Sequence, residues 1–123
     1  MKKIFFILIL IFTIPAEAAG KKTSFTEEIF KNAKDSGKTI VINSYETWCG
    51  TCRKQTKILN KAKTEFEDVI FLSYEQSKNK NIAQKLKVEH WTTIVVYKGN
   101  KEVGRIVGQT DKEIIYSIIK KGI

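Results

Sequence analysis

The pentapeptide Trp48-Cys49-Gly50-Thr51-Cys52 is the most informative segment of the chain, and a basic, helix-favouring run follows it at residues 53–59. Its two cysteines are the only ones in the chain. A disulfide between them would close a loop too short to remove much entropy from the unfolded chain, so it would add little stability. The spacing instead predicts a chemical role, either as a dithiol that cycles between thiol and disulfide or as half of a metal site.

The rest of the composition narrows these alternatives. A structural zinc site needs four ligands, and beyond the cysteines the chain offers one histidine, His90, and scattered carboxylates, which argues against zinc. The net charge of +9 comes almost entirely from lysine, and Arg53 and Arg105 are the only arginines. Because forked arginine donors favour phosphates and base edges, we expect no nucleic-acid partner and interpret the lysines as solvated faces of helices and loops.

Residues 1–18 have the pattern of a secretory signal peptide. Two lysines precede an apolar run at residues 4–14, and Ala16-Glu17-Ala18 after it is a small-x-small cleavage pattern. The run has 11 residues, well short of the about 20 that span a bilayer, which argues against a permanent anchor. We therefore expect cleavage after Ala18, one mature domain at residues 19–123, and export to the periplasm, an oxidising compartment.

The cysteines follow a strand and open a helix. Residues 39–45 form a nearly continuous β-branched and apolar run, which is typical of a strand covered on both faces. A helix is predicted at residues 51–66, where apolar side chains recur at helical spacing. This spacing places Cys52 on the buried stripe and Cys49 at the exposed N-terminal end of the helix.

The flanking elements complete a mixed sheet with helices on both faces. A first helix is expected from a capping box at Ser24 and Glu27 to Gly37, and a last helix is expected after a capping box at Thr110 and Glu113. Between them we expect a strand at 69–74 and a short helix at 79–86. A hairpin of strands 93–97 and 102–107 follows, with Gly99 first in a type II′ turn. The order predicts an α/β fold whose sheet is parallel in its middle and antiparallel at one edge.

A dithiol at a strand-to-helix junction has a definite chemistry. The free amides and the positive dipole end of the helix would stabilise a thiolate at Cys49, and the cations at residues 53, 54 and 57 would add to this field. Cys49 would attack a substrate disulfide, and Cys52, about one turn away, would displace the reduced substrate. The spacing alone does not fix the direction of electron flow.

The chain resembles the thioredoxin family, specifically its small exported bacterial members. The resemblance rests on residues 40–52, is supported by residues 92–99 and 107–108, and extends in order over residues 24–121. It implies a thioredoxin fold and an electron-carrying role toward protein disulfides, with Cys49 attacking, Cys52 resolving and no cofactor beyond their disulfide. The residues assigned to the environment of this pair are Trp48, Gly50, Thr51, Asn43 and Thr92, and those assigned to substrate binding are Trp91, Thr92 and Thr93.

Three positions depart from the family pattern. The family's cis-proline beside the dithiol falls at Thr92, where a cis bond would cost about 3 to 4 kcal/mol, so the loop is either held cis by the fold or is trans with an altered groove. Asn43 replaces a buried aspartate and cannot act as a base toward Cys52. The dipeptide Gly50-Thr51 replaces glycine-proline, and it leaves the redox potential open.

A metal-binding alternative follows from the loop before Thr92. In a thioredoxin fold this loop faces the dithiol, so Cys49, Cys52 and His90 could converge on a soft metal such as Cu(I).

The tryptophans also leave alternatives open. Trp48 either shields the dithiol or fills the core, and Trp91 either lines the substrate groove or caps the sheet.

The sequence therefore predicts a periplasmic thiol–disulfide oxidoreductase that reduces protein disulfides through Cys49 and Cys52. The expected partners are protein disulfide substrates and a membrane or periplasmic thiol–disulfide protein that regenerates the dithiol. We expect a monomer, and the alternative function is a Cu(I)-binding metallochaperone on the same scaffold.

Overall fold

Helices and strands alternate along residues 23–123, the part of the chain that this computed structural model describes. The expected signal peptide at residues 1–18 lies outside the described residues. The expected order of helix, strand, helix, strand, helix, hairpin and helix is confirmed. The elements are α1 (Glu27–Asp35), β1 (Thr39–Tyr45), α2 (Gly50–Glu65), β2 (Ile70–Glu75), α3 (Lys80–Leu86), β3 (Thr93–Lys98), β4 (Lys101–Val107) and α4 (Lys112–Lys120).

The four strands form one mixed sheet in the order β2-β1-β3-β4. β1 is parallel to β2, with Ile42 opposite Leu72, and antiparallel to β3, with Ile42 opposite Val95. The expected antiparallel hairpin at one edge is confirmed as β3 and β4. The sheet was expected to be parallel in its middle, but the middle strands β1 and β3 are antiparallel, and the parallel pair of β1 and β2 lies toward the other edge. A run of buried apolar residues does not specify direction, because any strand covered on both faces has this pattern.

Helices cover both faces of the sheet, as expected, and create two apolar cores. On one face α1 and α3 pack against alternate residues of β1, so that Phe30 and Leu86 share a core with Ile40 and Ile42. On the other face α2 and α4 pack against Val41, with Leu59 and Ile115 in that core. Within residues 23–123, every helix is too short or too polar to span a bilayer.

Neither predicted capping box is observed, and the N-caps lie one or two residues further along the chain. Thr26, not Ser24, caps α1 by accepting a hydrogen bond from the Ile29 amide, and Asp111, not Thr110, caps α4. Ser24 instead forms an isolated parallel bridge with Ser73 at the edge of the sheet. Several neighbouring Ser, Thr and Asp residues can cap a helix, so the packing of the helix decides which of them does.

The turns follow the expected glycines. Gly37 has φ 68° just beyond the end of α1, which is the left-handed conformation common after helices. Gly99 has φ 55° while Asn100 keeps a negative φ, which agrees with a type II′ rather than a type I′ turn.

Candidate active site

The reacting pair lies at the junction between β1 and α2. Cys49 is the N-cap of α2, and its sulfur accepts a hydrogen bond from the Cys52 amide at 3.1 Å. Sulfur thus takes the place of the oxygen that usually caps a helix. Cys49 and Cys52 form a disulfide, with their Cα atoms 5.2 Å apart. When the disulfide is reduced, the same amide and the helix dipole would stabilise negative charge on Cys49.

Burial differs from the expectation at one of the two cysteines. Cys52 faces the core and is 1% exposed, as predicted. Cys49 was expected to be exposed, but it is only 5% exposed. The reason is a tight turn in which the Cys49 amide donates to the Glu46 carbonyl at 3.3 Å, which turns Cys49 inward while Thr47 and Trp48 are exposed. A substrate must therefore dock closely to reach this sulfur.

Glu46 anchors that turn, although sequence reasoning did not identify it. The residue is 5% exposed, and its carboxylate accepts hydrogen bonds from the Ser77 amide at 2.7 Å and the Ser77 hydroxyl at 3.0 Å. A buried carboxylate is stable only with such partners. Glu46 therefore ties the turn before Cys49 to the loop after β2.

The two tryptophans pack against each other at the surface. The Trp48 side chain is 66% exposed and that of Trp91 is 40% exposed. Their ring centroids are 5.1 Å apart with planes at 70°, which is an edge-to-face contact. Core filling is therefore the wrong interpretation of Trp48. The pair presents a large apolar surface next to the turn that carries Cys49.

The loop at Thr92 is trans and left-handed. Residues 23–123 contain no cis peptide bond, and Thr92 has φ 67°, which is rare for a β-branched residue. Its amide donates to the Ser44 carbonyl at 2.8 Å, and its carbonyl accepts from the Gly108 amide at 3.0 Å. Of the two alternatives open from the sequence, the trans loop is the one observed. Thr92 and its neighbour Thr93 are both buried, at 9% and 2% exposure.

Gln55 is the second residue that sequence reasoning missed. It is fully buried on α2, one turn after Cys52, and its side-chain amide donates to the carbonyls of Thr92 and Gln109, each at 3.0 Å. This one side chain therefore ties the helix of the reacting pair to the Thr92 loop and to the segment before α4. The signal for it was a polar residue within the buried sector of α2.

Asn43 lies under the site, on the α2 side of the sheet. It is 2% exposed, and neither polar atom of its side chain has a hydrogen-bond partner within residues 23–123. With Thr56, Leu59 and Phe71 it lines a cavity of about 20 Å³, which is room for one water molecule. The position of the family's buried aspartate is thus polar and buried here, but it carries an amide.

The structure does not assemble the metal site that the sequence left open. Within residues 23–123 no three side chains of histidine, cysteine, aspartate or glutamate come together as a metal site. His90 is exposed and takes part in the loop through its carbonyl, which accepts a hydrogen bond from the Thr93 hydroxyl at 2.6 Å.

Comparison with known proteins shows the family of this chain. The sequence model of the thioredoxin family matches residues 18–121. The chain belongs to the thioredoxin family. It is 38% identical over 91 residues to an H-type thioredoxin of Fagopyrum esculentum, covering 74% of this chain and 78% of that one. It is 32% identical over 90 residues to thioredoxin-2 of Saccharomyces cerevisiae, covering 72% and 86%.

Solved structures agree with this assignment. The thioredoxin NaTrxh of Nicotiana alata superimposes with a TM-score of 0.75 at 26% identity, covering 87% of this chain and 96% of that one. Mitochondrial thioredoxin 3 of Saccharomyces cerevisiae, in its oxidised form, gives a TM-score of 0.71 at 28% identity, covering 80% and 93%. The expected thioredoxin fold is confirmed. The protein is a thioredoxin-type thiol–disulfide oxidoreductase with Cys49 and Cys52 as its disulfide pair.

The role of Gln55 can be tested by replacing it with an apolar residue of similar length. Gln55→Met leaves the Gln109 carbonyl without this donor and weakens the hold on Thr92, so we expect the free energy of unfolding to fall by about 1–3 kcal/mol. Urea denaturation of the oxidised protein measures this loss. Gln84→Met, at an exposed position of α3, is the matched control and should change stability by less than about 0.5 kcal/mol. Equal effects of the two substitutions would contradict the role of Gln55.

Proposed function

We propose that this protein is a periplasmic oxidoreductase that reduces protein disulfides, with Cys49 as the nucleophile and Cys52 as the resolving cysteine. The observation that carries the proposal is the position of Cys49 at the N-cap of α2, where its sulfur accepts from the Cys52 amide at 3.1 Å. The lower exposure of Cys52, at 1% against 5% for Cys49, supports the division of roles. A buried thiol is protected from substrates but remains within reach of the sulfur of Cys49.

The reaction proceeds in two exchanges. The Cys49 thiolate attacks one sulfur of the substrate disulfide, so a mixed disulfide forms while the substrate bond breaks and its second sulfur leaves as a thiolate. The Cys52 thiol gives its proton to this leaving thiolate and attacks the sulfur of Cys49. The mixed disulfide breaks, the first substrate sulfur leaves and is protonated by water, and two electrons have passed to the substrate. Asn43 takes no part as a base, because an amide cannot accept the proton.

The surroundings of the pair have supporting roles in this proposal. The exposed edge-to-face pair of Trp48 and Trp91 provides apolar surface for the substrate. The buried Thr92 loop gives the groove beside the pair a fixed shape, and Thr93 anchors that loop through its hydroxyl. Gly50 and Thr51 form the first turn of α2 between the cysteines and influence the redox potential. The oxidised form carries no cofactor other than its disulfide, and a membrane or periplasmic thiol–disulfide protein returns it to the dithiol.

The assignment of roles predicts which single-cysteine variant traps a substrate. Cys52→Ser should accumulate a mixed disulfide with a protein substrate, because the resolving thiol is missing. Cys49→Ser should trap none, because Cys52 is buried. Non-reducing electrophoresis and mass spectrometry of each variant after incubation with a disulfide-containing protein measure this difference. Trapping by Cys49→Ser alone would reverse the assigned roles.

The reducing direction predicts a low reduction potential. Family membership favours a value near that of thioredoxin, about −270 mV, whereas cations near Cys49 stabilise the reduced form and act in the opposite direction. Titration of the protein against dithiothreitol and glutathione buffers, with alkylation and mass measurement, gives the potential. A value approaching about −120 mV would make the protein a disulfide donor and contradict the proposed direction.

The periplasmic location rests on the signal pattern at residues 1–18. We expect the protein isolated from cells to begin at Ala19, to be released with the periplasmic fraction and to be monomeric in light scattering. N-terminal sequencing of the protein from the periplasmic fraction identifies its first residue. A chain that keeps residues 1–18 and stays in the cytoplasmic fraction would contradict the proposed location while leaving the chemistry unchanged.

A further inference from the structure

The outer face of α2 carries an uninterrupted row of cations, which we call the basic stripe: Arg53, Lys54, Lys57 and Lys61. All four are exposed, and at 3.6 residues per turn they lie within about 100° of one another around the helix axis. None of them has an ion-pair partner within residues 23–123. The ion pairs of that part of the chain lie elsewhere: Lys78–Glu75, Lys85–Glu27 and Arg105–Glu102.

The start of the basic stripe opposes the helix dipole. Glu27 and Glu28 lie in the first turn of α1 and Glu113 lies in the first turn of α4, where acids are favourable, but the first turn of α2 contains no acid. Cations at Arg53 and Lys54 are unfavourable there, by a few tenths to about 1 kcal/mol each. Where a sequence breaks a local rule in this way, a functional reason is the first one to seek.

Stabilisation of the Cys49 thiolate explains only the first turn. Lys57 and Lys61 follow Cys49 by 8 and 12 residues, which places them about 12 and 18 Å along the helix axis. Both distances exceed the Debye length of about 8 Å at physiological ionic strength, so these exposed charges have little influence on the thiolate. The second half of the basic stripe therefore needs another explanation.

A groove connects the basic stripe to the reacting pair. It has a volume of about 400 Å³ and runs between the end of β1 with its following turn and the side of α2, where Cys52, Arg53 and Lys57 line it. Glu46 also lines this groove, but its carboxylate is held by the Ser77 amide and hydroxyl. That carboxylate keeps its negative charge but is only 5% exposed, so the exposed charges along the groove are those of Arg53 and Lys57.

We propose that this groove and the basic stripe bind an acidic segment of the partner protein, which lies along α2 while the partner's disulfide reaches Cys49. The inference rests on the proposed function and specifies its substrate class. Anionic lipid and nucleic acid are also negative, but the groove is lined by Cys52 of the reacting pair, which favours an occupant that carries a disulfide. Charge of this kind acts mainly on the rate of association and on the choice of partner.

The test uses three synthetic peptides with the same disulfide, flanked by glutamates, serines or lysines. Stopped-flow measurement of the reduced protein with each peptide gives the second-order rate constants. We expect the glutamate peptide to react about ten-fold faster than the lysine peptide at low salt, with the ratio falling toward one as ionic strength rises. Lys57→Glu and Lys61→Glu should each lower this ratio at least about three-fold, because they remove charge complementarity along the basic stripe.

Lys101→Glu is the matched control. Lys101 is exposed and lies opposite Lys98, at the end of the sheet where β1 begins, whereas the disulfide lies beyond the other end of β1. The Lys101→Glu substitution makes the same change in net charge and should leave the ratio of the glutamate-peptide to the lysine-peptide rate constant unchanged. Equal losses in the control and the Lys57→Glu variant would show an effect of net charge alone and overturn the proposal.

The remaining outcomes separate this proposal from the one on which it rests. If the serine peptide is reduced and the three peptides react at the same rate, the acidic-partner proposal fails and the oxidoreductase proposal stands. If no peptide is reduced, the proposed reducing function itself fails. Binding to phosphatidylglycerol vesicles that Lys57→Glu abolishes, without any peptide selectivity, would replace the acidic partner with a membrane surface.

Discussion

The rest of the structure depends on the position of β1, which is hydrogen-bonded to β2 on one side and β3 on the other and is buried on both faces. Its alternate residues contribute to two separate cores, so the strand is held against displacement in either direction. This fixes where the strand ends, and hence where the turn at Glu46 and the first turn of α2 are placed. The end of β1 also holds the Thr92 loop, through the Ser44 carbonyl. The reacting pair thus lies on rigid elements, while its surroundings are loops tied to them.

The Thr92 loop shows how a different residue can supply the rigidity that a proline would give. A left-handed backbone at a residue with a β-carbon costs about 1–2 kcal/mol. Against this stand three hydrogen bonds, from Thr92 to Ser44 and from Gly108 and Gln55 to Thr92, each contributing about 0.5–1.5 kcal/mol. The network therefore offsets the strain. It also makes the shape of the loop depend on α2, the helix that carries Cys52, through the side chain of Gln55.

In the two proposals made above, charge on α2 serves two purposes that differ in range. Arg53 and Lys54 follow Cys49 by four and five residues at the start of α2, where their charge would favour a thiolate on Cys49 and make the disulfide easier to reduce. Lys57 and Lys61 are too distant for this; Lys57 lines the groove, and Lys61 is exposed one turn further along α2. The same helix therefore links reactivity at its N-terminus with recognition along its length. The cost is a helix that begins with unfavourable charge and gains its stability from packing against the sheet.

Periodicity and cysteine spacing are local signals, so they were enough to predict the order of elements, the mixed sheet with a hairpin at one edge, and the reacting pair with Cys52 facing inward. Contacts in the folded protein were needed to show that the parallel pair lies away from the middle of the sheet, that Cys49 is buried by its turn, and that Trp48 pairs with Trp91 at the surface. The same contacts showed that the peptide bond before Thr92 is trans and that the side chains of Gln55 and Glu46 anchor the segments around the reacting pair. Each of these depends on contacts between segments distant in the chain, such as Gln55 with Thr92 and Glu46 with Ser77, and no local pattern specifies which distant groups will meet.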